Sequence, residues 1–146
     1  MSSERGSQRN PTPICPTLAG LLSAVQRHQE RLAQLRPRVL VGEFAGAAGT
    51  LASLQTGAME TQAELCAELG LGQPVIAWHT IRDNIAEVGA FLGLVGGTLG
   101  KLSMDVKLMM QTEVGEVYEP FAHGRGSSST MPQKRNPISS CYIHSA

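Results

Sequence analysis

The sequence predicts an all-α protein built as a bundle of long helices, and two observations carry this prediction. Apolar residues recur at steps of three and four over most of the chain, which is the spacing of one face of an α-helix. Of the 146 residues, 42% are hydrophobic but only 4% are aromatic, so the expected core is aliphatic. Proline and glycine fall between the periodic stretches and mark where helices should end.

The first predicted helix covers residues 17 to 36. One face of it is formed by residues three or four positions apart, namely Leu18, Leu21, Leu22, Val25, His28, Leu32 and Leu35. Pro16 stands near its start, and Pro37 should stop it at Arg36, because proline lacks the N–H group that a helix interior needs. Residues 1 to 13 are almost wholly polar, so we expect a disordered tail there and a partial helical domain over residues 14 to 146.

A second helix is predicted from Leu51 or Thr56 to Leu69, with Gly70 as its C-cap. The third helix should run from residue 80 to about residue 114. Apolar side chains form a heptad-like seam along it, at Ile81, Ile85, Val88, Leu92, Val95, Leu99, Leu102, Val106 and Met109. Glycines crowd a second face, at positions 89, 93, 96, 97 and 100. Each glycine costs a helix up to about 1 kcal/mol relative to alanine, so we expect a second helix to approach closely there.

The length of this third helix predicts an oligomer. A helix of about 35 residues is roughly 50 Å long at 1.5 Å per residue. A compact domain of this size has a diameter of roughly 40 Å, so the helix would extend beyond its own domain. Either the helix kinks at its glycines, or other subunits or further parts of the chain cover its ends. We favour a helical oligomer.

Charge and cysteine content narrow the class of partner. The chain has 12 Lys and Arg residues and 12 Asp and Glu residues, so no net charge attracts nucleic acid. The longest uncharged run, residues 88 to 100, is too short to span a bilayer. The three cysteines, Cys15, Cys66 and Cys141, have neither disulfide nor metal-site spacing. We expect free thiols, a cytoplasmic location, no metal and no organic cofactor.

Near the C-terminal end, the stretch HGRGSSSTMPQKRNP, residues 123 to 137, interrupts the helical pattern. Asn136 can cap a following helix and Pro137 suits its first position. Helix N-termini favour anions, and Lys134 and Arg135 add positive charge at the same place. Hydroxyls, a lysine, an amide and a helix start together indicate a loop that binds carboxylate or phosphate. A flexible polar linker is the alternative, and the pattern GxxxxGK[ST] of a P-loop is absent.

The same stretch resembles the signature loop GSSxMPxKxN of the fumarase/aspartase superfamily. Further segments are similar, in order, to the 3-carboxy-cis,cis-muconate cycloisomerases of aromatic-acid breakdown; these segments are LRPRVLVGEFAGAAGTLASL, WHTIRD, LGKLSMDVKLMMQTEVGEVYEP and GSSSTMPQKRNPIS. The adenylosuccinate lyases are the next most similar branch. The resemblance covers residues 12 to 140 and implies a long-helix bundle, like the central domain of that superfamily, assembled as a homotetramer.

The resemblance also implies roles for individual residues. Ser128 corresponds to the catalytic serine, which can act as a base only if loop N–H groups and a cation stabilise its alkoxide. Lys134 and Asn136 would bind carboxylates of a small dicarboxylate or tricarboxylate substrate, and the Met131 backbone would line the site. Arg82, in WHTIRD together with His79, would contact a carboxylate. The alternative for Arg82 is capping of the helix start and surface pairing with Asp83 or Glu87.

The chain departs from the family pattern at several places. Ser127 replaces the glycine before the serine pair, and Cys141 replaces a glutamate seven residues after the lysine that orients an acid histidine. RGSQRN stands where the family has its threonine–histidine segment. Because each active site in the superfamily combines segments from three subunits, we expect the isolated polypeptide to be truncated and weakly active or inactive.

Three functions therefore stay open at the level of sequence. The first is a carboxymuconate cycloisomerase, in which the substrate's own carboxylate makes or leaves a lactone ring. The second is an adenylosuccinate lyase-like enzyme or another fumarate-releasing lyase. The third is a non-catalytic helical oligomerisation module that associates with a full-length relative.

Overall fold

The computed structural model of the protein describes residues 14–120, 131 and 134–145. Its regular structure is helical, as predicted, and the described ranges contain no β-strand, only an isolated bridge between Val41 and Gly72. The described residues form four α-helices, namely α1 (Ile14–Val39), α2 (Ala58–Leu69), α3 (Asp83–Met109) and α4 (Ile138–Ser145). A single turn of 3-10 helix at Ala52–Leu54 precedes α2. The predicted disordered tail and most of the loop lie outside the described residues.

Helix α1 does not stop before Pro37 and instead includes it, so the predicted end at Arg36 was wrong. The proline removes only one backbone N–H, and the helix ends two residues later, so few helical bonds could be lost. Beyond it, Leu40 N donates to the carbonyl of Arg36 at 2.8 Å and continues the helical bonding past the proline.

Helix α2 ends as predicted. Gly70 adopts a left-handed conformation with φ of 66° and its N–H donates to Ala67. Leu71 N donates to the carbonyl of Cys66 at 2.8 Å, which satisfies a second carbonyl of the last turn. The helix begins at Ala58, close to the later of the two predicted starts.

Helix α3 is shorter than the predicted 35 residues: it has 27, or about 40 Å. A turn precedes it, in which Ile81 N donates to Trp78 O at 2.9 Å. Past its end, Gly115 takes a φ of 60° and Glu116 N donates back to Met109 O at 3.0 Å. Of the predicted seam residues, Ile81 lies in the turn before the helix and the others lie within it.

The chain divides into two compact units, residues 26–95 and residues 1–25 with 96–146. In the first unit the buried apolar side chains are few and modest in size, namely Leu35, Ala45, Leu51 and Cys66. The buried side chain of Gln62, in α2, donates from Nε2 to the carbonyl of Phe44 at 2.7 Å. Phe44 lies in the segment between α1 and α2. Among the described residues of the other unit, Ser103 and Ser140 are buried, and Ser103 Oγ donates to Gly100 O within α3 at 2.8 Å.

Among the described residues, the glycine face predicted for α3 is open and the apolar seam is partly exposed. A Cβ built on any of its five glycines would have no described heavy atom within 4 Å, the bonded neighbours and the helix's own nearby backbone aside. Of its seam residues, Ile85, Leu92 and Leu99 are 48%, 61% and 42% exposed. By length and composition α3 could also cross a membrane, contrary to the expectation from the uncharged run alone. A helix packed on all sides in a bundle has the same apolar character.

Candidate functional site

Three of the predicted site residues line one open cavity of about 750 Å³ in the unit that contains residues 96–146. They are Met131, Lys134 and Asn136. The rest of the described lining comes from the end of α3, from the segment that follows it and from the loop, namely Met110, Thr112, Tyr118 and Arg135. Ser128, the predicted catalytic serine, lies outside the described residues.

The backbone around Lys134 forms two consecutive turns. Lys134 N donates to Met131 O at 3.1 Å, and Ile138 N donates to Asn136 O at 2.9 Å. These bonds place the ammonium and the amide of the Lys-x-Asn motif on the same cavity wall. Helix α4 begins at Ile138, one position after the predicted Pro137.

The first N–H groups of α4 are bound by Glu119, which precedes the loop. Glu119 Oε2 accepts from Ser139 N at 2.9 Å, and Oε1 accepts from Ser140 N at 2.8 Å and from Ser140 Oγ at 2.6 Å. Partial burial acts to raise the pKa of Glu119, but the hydrogen bonds from Ser140 and Ser139 outweigh it, and the pKa lies below its ordinary value. The residues on either side of the loop are thus joined by an ionised carboxylate.

A second contact joins the same two flanks. The guanidinium carbon of Arg135 lies 5.9 Å from the centre of the Tyr118 ring, within the range of a cation–π interaction. Sequence reasoning missed both contacts. Glu119 and its partners are 20 and 21 residues apart, so no short-range spacing could have signalled the pairing.

The cavity combines a cation and an amide with apolar walls. Lys134 is exposed and supplies positive charge, and Asn136 can donate a hydrogen bond from its amide. Met110, Met131 and the ring of Tyr118 supply apolar surface. Convergent polar groups on an apolar lining are typical of small-molecule sites, and an ammonium with an amide donor suits a carboxylate.

Arg82 lies in the other unit, directly before α3. Its carbonyl accepts from Ala86 N at 2.9 Å, so its backbone takes part in the helix start. Its side chain does not form the predicted surface pair with Glu87, because both oxygens of Glu87 bind Nε of Arg38, at 3.1 and 3.0 Å. No ion pair between Arg82 and Asp83 is present among the described residues either.

A histidine–carboxylate pair stands in the same unit as Arg82. Glu43 Oε1 lies 2.9 Å from His79 Nδ1, and Glu43 Oε2 accepts from Trp78 N at 2.8 Å. The bond to His79 is the main reason that the pKa of Glu43 is lowered; desolvation opposes it, and the Trp78 N–H and the charges of His79 and Arg82 add to the lowering. The sequence placed His79 near the substrate by resemblance alone and did not indicate Glu43.

The described part of the chain offers no metal centre: no three His, Cys, Asp or Glu side chains gather there closely enough to bind an ion.

These features define a helical protein with an open cavity, lined by a lysine, an arginine and an amide, after the end of α3. The particular family follows from comparison with known proteins. A family model described as Lyase matches residues 7–145, and the chain belongs to this family. The predicted resemblance to the fumarase/aspartase superfamily, and to its muconate cycloisomerases, is confirmed.

Two relatives and one solved structure define the similarity. The chain is 54% identical over 136 residues to 3-carboxy-cis,cis-muconate cycloisomerase of Pseudomonas aeruginosa, covering 93% of this chain. It is 58% identical over 127 residues to trans-aconitate decarboxylase 1 of Mycosarcoma maydis, covering 87% of this chain. The crystal structure of the 3-carboxy-cis,cis-muconate lactonizing enzyme of Pseudomonas putida matches 88% of this chain with a TM-score of 0.80 and 50% identity.

The chain spans about a third or less of each of these proteins. The matched region is 30% of the Pseudomonas aeruginosa protein, 26% of the Mycosarcoma maydis protein and 29% of the Pseudomonas putida crystal structure chain.

Proposed function

We propose that the site to which this chain contributes transfers a proton at the carbon next to a carboxylate and makes or opens a lactone ring, as a 3-carboxy-cis,cis-muconate cycloisomerase. The observation that carries the proposal is the placement of Lys134 and Asn136 on one cavity wall. The identity of 54% to a protein named for this reaction supports the choice of substrate.

In this mechanism Lys134 and Asn136 act on the carboxylate that takes up negative charge. When the lactone forms, a carboxylate oxygen of the substrate attacks an alkene carbon, and the electron pair of the double bond moves toward the neighbouring carboxylate. The resulting aci-carboxylate carries additional negative charge. An ammonium and an amide donor already in position stabilise this charge more than they stabilise the substrate, which lowers the barrier. Met131 would line the site.

We assign the proton transfer to Ser128. In the ring-opening direction its alkoxide takes the proton from the carbon next to the carboxylate while the ring C–O bond breaks. In the ring-forming direction the hydroxyl returns that proton. The assignment rests on the resemblance of SSTMPQKRNP to the superfamily signature, in which this serine precedes Lys134 by six positions.

A second candidate is a lyase or decarboxylase that acts on another unsaturated polycarboxylate. The 58% identity to a protein named trans-aconitate decarboxylase 1 favours it. Aconitate and carboxymuconate both carry three carboxylates, so Lys134 and Asn136 suit either compound. A fumarate-releasing lyase of the adenylosuccinate type, the alternative raised by the sequence, would use the same proton-transfer chemistry with a different leaving group.

We further propose that copies of the chain assemble, as a tetramer, around α3. Two observations support the assembly: the glycine face of α3 has no neighbouring atom within 4 Å among the described residues, and residues of the apolar seam are exposed. Helices of other copies packed against the two faces would bury both. A cytoplasmic location is also proposed, and the free thiols of Cys66 and Cys141 fit a reducing compartment.

A chimera tests the proposed reaction without relying on this chain alone to build a whole site. Residues 12–140 replace the corresponding segment of the Pseudomonas aeruginosa relative, and turnover of 3-carboxy-cis,cis-muconate is followed by its ultraviolet absorbance. We expect the chimera to be active and Ser128→Ala to lower kcat by about 100-fold or more. The matched control is Ser127→Gly, which restores the family residue and should keep the activity.

The outcomes separate the candidates. Turnover of trans-aconitate or of adenylosuccinate in place of carboxymuconate would select the second candidate. A folded chimera that acts on none of these compounds would refute the proposal. The 146-residue chain, assayed in parallel, should show little or no turnover; turnover that Ser128→Ala abolishes would contradict that expectation.

A further inference from the structure

We propose that Arg135, held in place by Tyr118, is a third binding group of the cavity and makes the cavity prefer a ligand with three carboxylates over one with two. Tyr118 is the positioning residue in this proposal, because it acts on the ligand through Arg135. The identity of the natural ligand rests on the proposed function. The geometry comes from described residues of a single unit, the one that contains residues 96–146.

The charges that line the cavity favour a ligand with several carboxylates. Its described lining includes two cations, Lys134 and Arg135, and no acidic side chain. A cleft lined by charges of one sign attracts ligands of the opposite sign, and the attraction grows with the charge of the ligand. Lys134 and Asn136 are assigned to the carboxylate at the reacting carbon, so the guanidinium of Arg135 is the group that suits another carboxylate.

The contact with Tyr118 fixes the guanidinium at the cavity wall. Its central carbon lies 5.9 Å from the centre of the Tyr118 ring, and both residues line the cavity. A guanidinium that packs on an aromatic ring keeps N–H donors at its edge, and two of these can bind one carboxylate. The contact therefore holds Arg135 without using the donors that a ligand needs.

The position of the Tyr118 ring is set by the turn after α3. Gly115 N donates to Gln111 O at 2.8 Å, and Glu116 N donates to Met109 O at 3.0 Å. A Cβ on Gly115 would lie 2.9 Å from the hydroxyl oxygen of Tyr118, so a larger residue would displace the ring. The turn and its glycine thus seat the ring beside the segment that carries Arg135.

Glu119 anchors the same contact from the neighbouring position. Its carboxylate accepts from Ser139 N at 2.9 Å and from Ser140 N at 2.8 Å, which ties the residue after Tyr118 to the start of α4. Arg135 precedes Ser139 by four positions, so both partners of the cation–π contact lie close in sequence to these hydrogen bonds. Groups that are held before a ligand arrives lose less entropy when it binds.

The alternative is that the Tyr118–Arg135 contact only joins the two flanks of the loop. A contact of that kind would affect the stability of the protein, and its loss would weaken dicarboxylate and tricarboxylate binding by the same factor. A specificity role predicts a different result, because only the third carboxylate depends on Arg135. The ratio of the two dissociation constants therefore separates the two explanations.

The experiment titrates the 146-residue chain, labelled with ¹³C at its methionine methyl groups, with propane-1,2,3-tricarboxylate and with butanedioate at constant ionic strength. Met110 and Met131 line the cavity, so we expect saturable shifts of their methyl resonances in NMR spectra. Met59 lies in α2, in the other unit, and should not shift. The tricarboxylate should bind about tenfold more tightly than the dicarboxylate, the effect of one hydrogen bond to a charged group.

Substitutions of the pair should change this preference. Arg135→Gln should weaken tricarboxylate binding about tenfold and dicarboxylate binding much less, so that the preference is lost. Arg135→Lys, which keeps the charge, should recover part of it. Tyr118→Leu should weaken tricarboxylate binding about two- to fivefold, as expected for a cation–π contact of a ring that is 57% exposed. Tyr118→Phe, which keeps the ring, should recover the affinity.

Two control variants remove similar groups outside the cavity lining. Lys107→Gln removes one positive charge from the last turn of α3, and Tyr142→Leu removes an exposed ring from α4. Both should keep the preference. A loss in Lys107→Gln as large as that in Arg135→Gln would show a general charge effect and would overturn the proposal. Linear, non-saturating shifts, or an unchanged preference in Arg135→Gln, would overturn it as well.

These outcomes are separate from the test of the proposed reaction. In the chimera, Arg135→Gln should raise KM for carboxymuconate more than it lowers kcat, because the lost contact binds the substrate and the transition state alike. Activity that depends on Ser128, with an unchanged KM in Arg135→Gln, would support the proposed function and refute the third binding group. A tricarboxylate preference that depends on Arg135, in a folded chimera without turnover, would do the opposite.

Discussion

Glu119 and Ser140 are joined by two hydrogen bonds: Oε1 of the carboxylate accepts from the backbone N–H at 2.8 Å and from the hydroxyl at 2.6 Å. The two residues stand on opposite sides of the loop that carries the Lys-x-Asn motif. Their contact closes the base of that loop and binds the exposed N–H groups at the start of α4. The Glu119 carboxylate therefore stabilises the start of α4 and also helps to position Lys134 and Asn136.

Replacing Glu119 by alanine should loosen the start of α4. The loss of an N-terminal capping group costs about 0.5–2 kcal/mol, and Glu119→Gln should cost less because the amide oxygen can still accept one bond. Urea unfolding measures the free energy of unfolding, and amide hydrogen exchange at Ser139 and Ser140 localises the effect. Glu116→Ala, an exposed carboxylate with no side-chain partner in the described chain, is the control and should change neither readout.

Acid should destabilise the protein through its hydrogen-bonded glutamates. The pKa of Glu119 is lowered below its ordinary value of 4.5, because hydrogen bonds from Ser140 and Ser139 outweigh the effect of burial. The unfolded chain then binds more protons than the folded chain as the pH falls. The stabilisation is complete above the ordinary value and is lost as the pH falls through the folded pKa.

Glu87 and Glu43 should add to the same acid sensitivity, because hydrogen bonds from Arg38 and His79 respectively lower the pKa of each. Thermal unfolding measured between pH 7 and pH 3 checks the sign of the effect. Glu119→Gln should flatten this profile in part, since one of the three titrating groups is gone. A profile that rises toward acid would contradict the assignment.

Gly42 should not tolerate a side chain. A Cβ at this position would lie 2.5 Å from Sγ of the buried Cys66, so either the Cys66 side chain or the backbone on one side would have to shift. Overpacking of this kind typically costs about 1–3 kcal/mol, measured as a shift of the urea midpoint of Gly42→Ala. Adding Cys66→Gly should recover part of the loss.

Gly20→Ala is the matched control for that substitution. Gly20 lies inside α1 and a Cβ there would have no atom within 4 Å, so alanine should stabilise the helix by up to about 1 kcal/mol. Destabilisation of similar size at both glycines would show that contact with Cys66 is not the cause.

The glycine face of α3 should decide the oligomeric state. Gly93→Leu and Gly97→Leu should shift the mass measured by light scattering from a multiple of 15.5 kDa toward 15.5 kDa, because a helix packed on that face could no longer approach. Leu94→Ala, on α3 but not in the glycine face, should shift it less. An unchanged mass in both glycine variants would refute assembly through this face.

Lys134 should be needed for the reaction more than for the fold. In the chimera, Lys134→Gln should lower kcat/KM by at least about tenfold, because a charge-assisted hydrogen bond to the substrate carboxylate is lost. Lys101→Gln is the control, since Lys101 is an exposed lysine of α3 paired with Asp105. Equal losses in the two variants would indicate a general charge effect and not binding at the cavity.

The sequence predicted the class of fold and the position of its main elements well. The three- and four-residue steps between apolar positions predicted α1 and α3, because helical periodicity is a local property of the chain. The end of α2 at Gly70 was also predictable, since only a left-handed residue completes that cap. Boundaries set by nonlocal contacts or by turns were missed: α1 continues past Pro37, and α3 ends at Met109.

The residues of the candidate site also fall into two groups: those that the sequence identified and those that only the structure identified. Lys134, Asn136 and Met131 were identified from a contiguous motif, and the signature that they share with the superfamily is a matter of spacing along the chain. Glu119 and Glu43 were not identified, because each acts on partners 20 or more residues away. Their importance depends on which segments meet, and a carboxylate in an isolated stretch of sequence carries no such information.

By itself, then, the sequence determined the helical class, the motif chemistry and the apolar faces of α3, all of which depend on periodicity or on adjacent residues. Only the tertiary structure decided that Arg38 and not Arg82 binds Glu87, that Glu43 orients His79, and that Glu119 joins the two flanks of the loop. The reason is physical: a hydrogen bond depends on distances of about 3 Å between atoms, and folding, not sequence proximity, sets those distances.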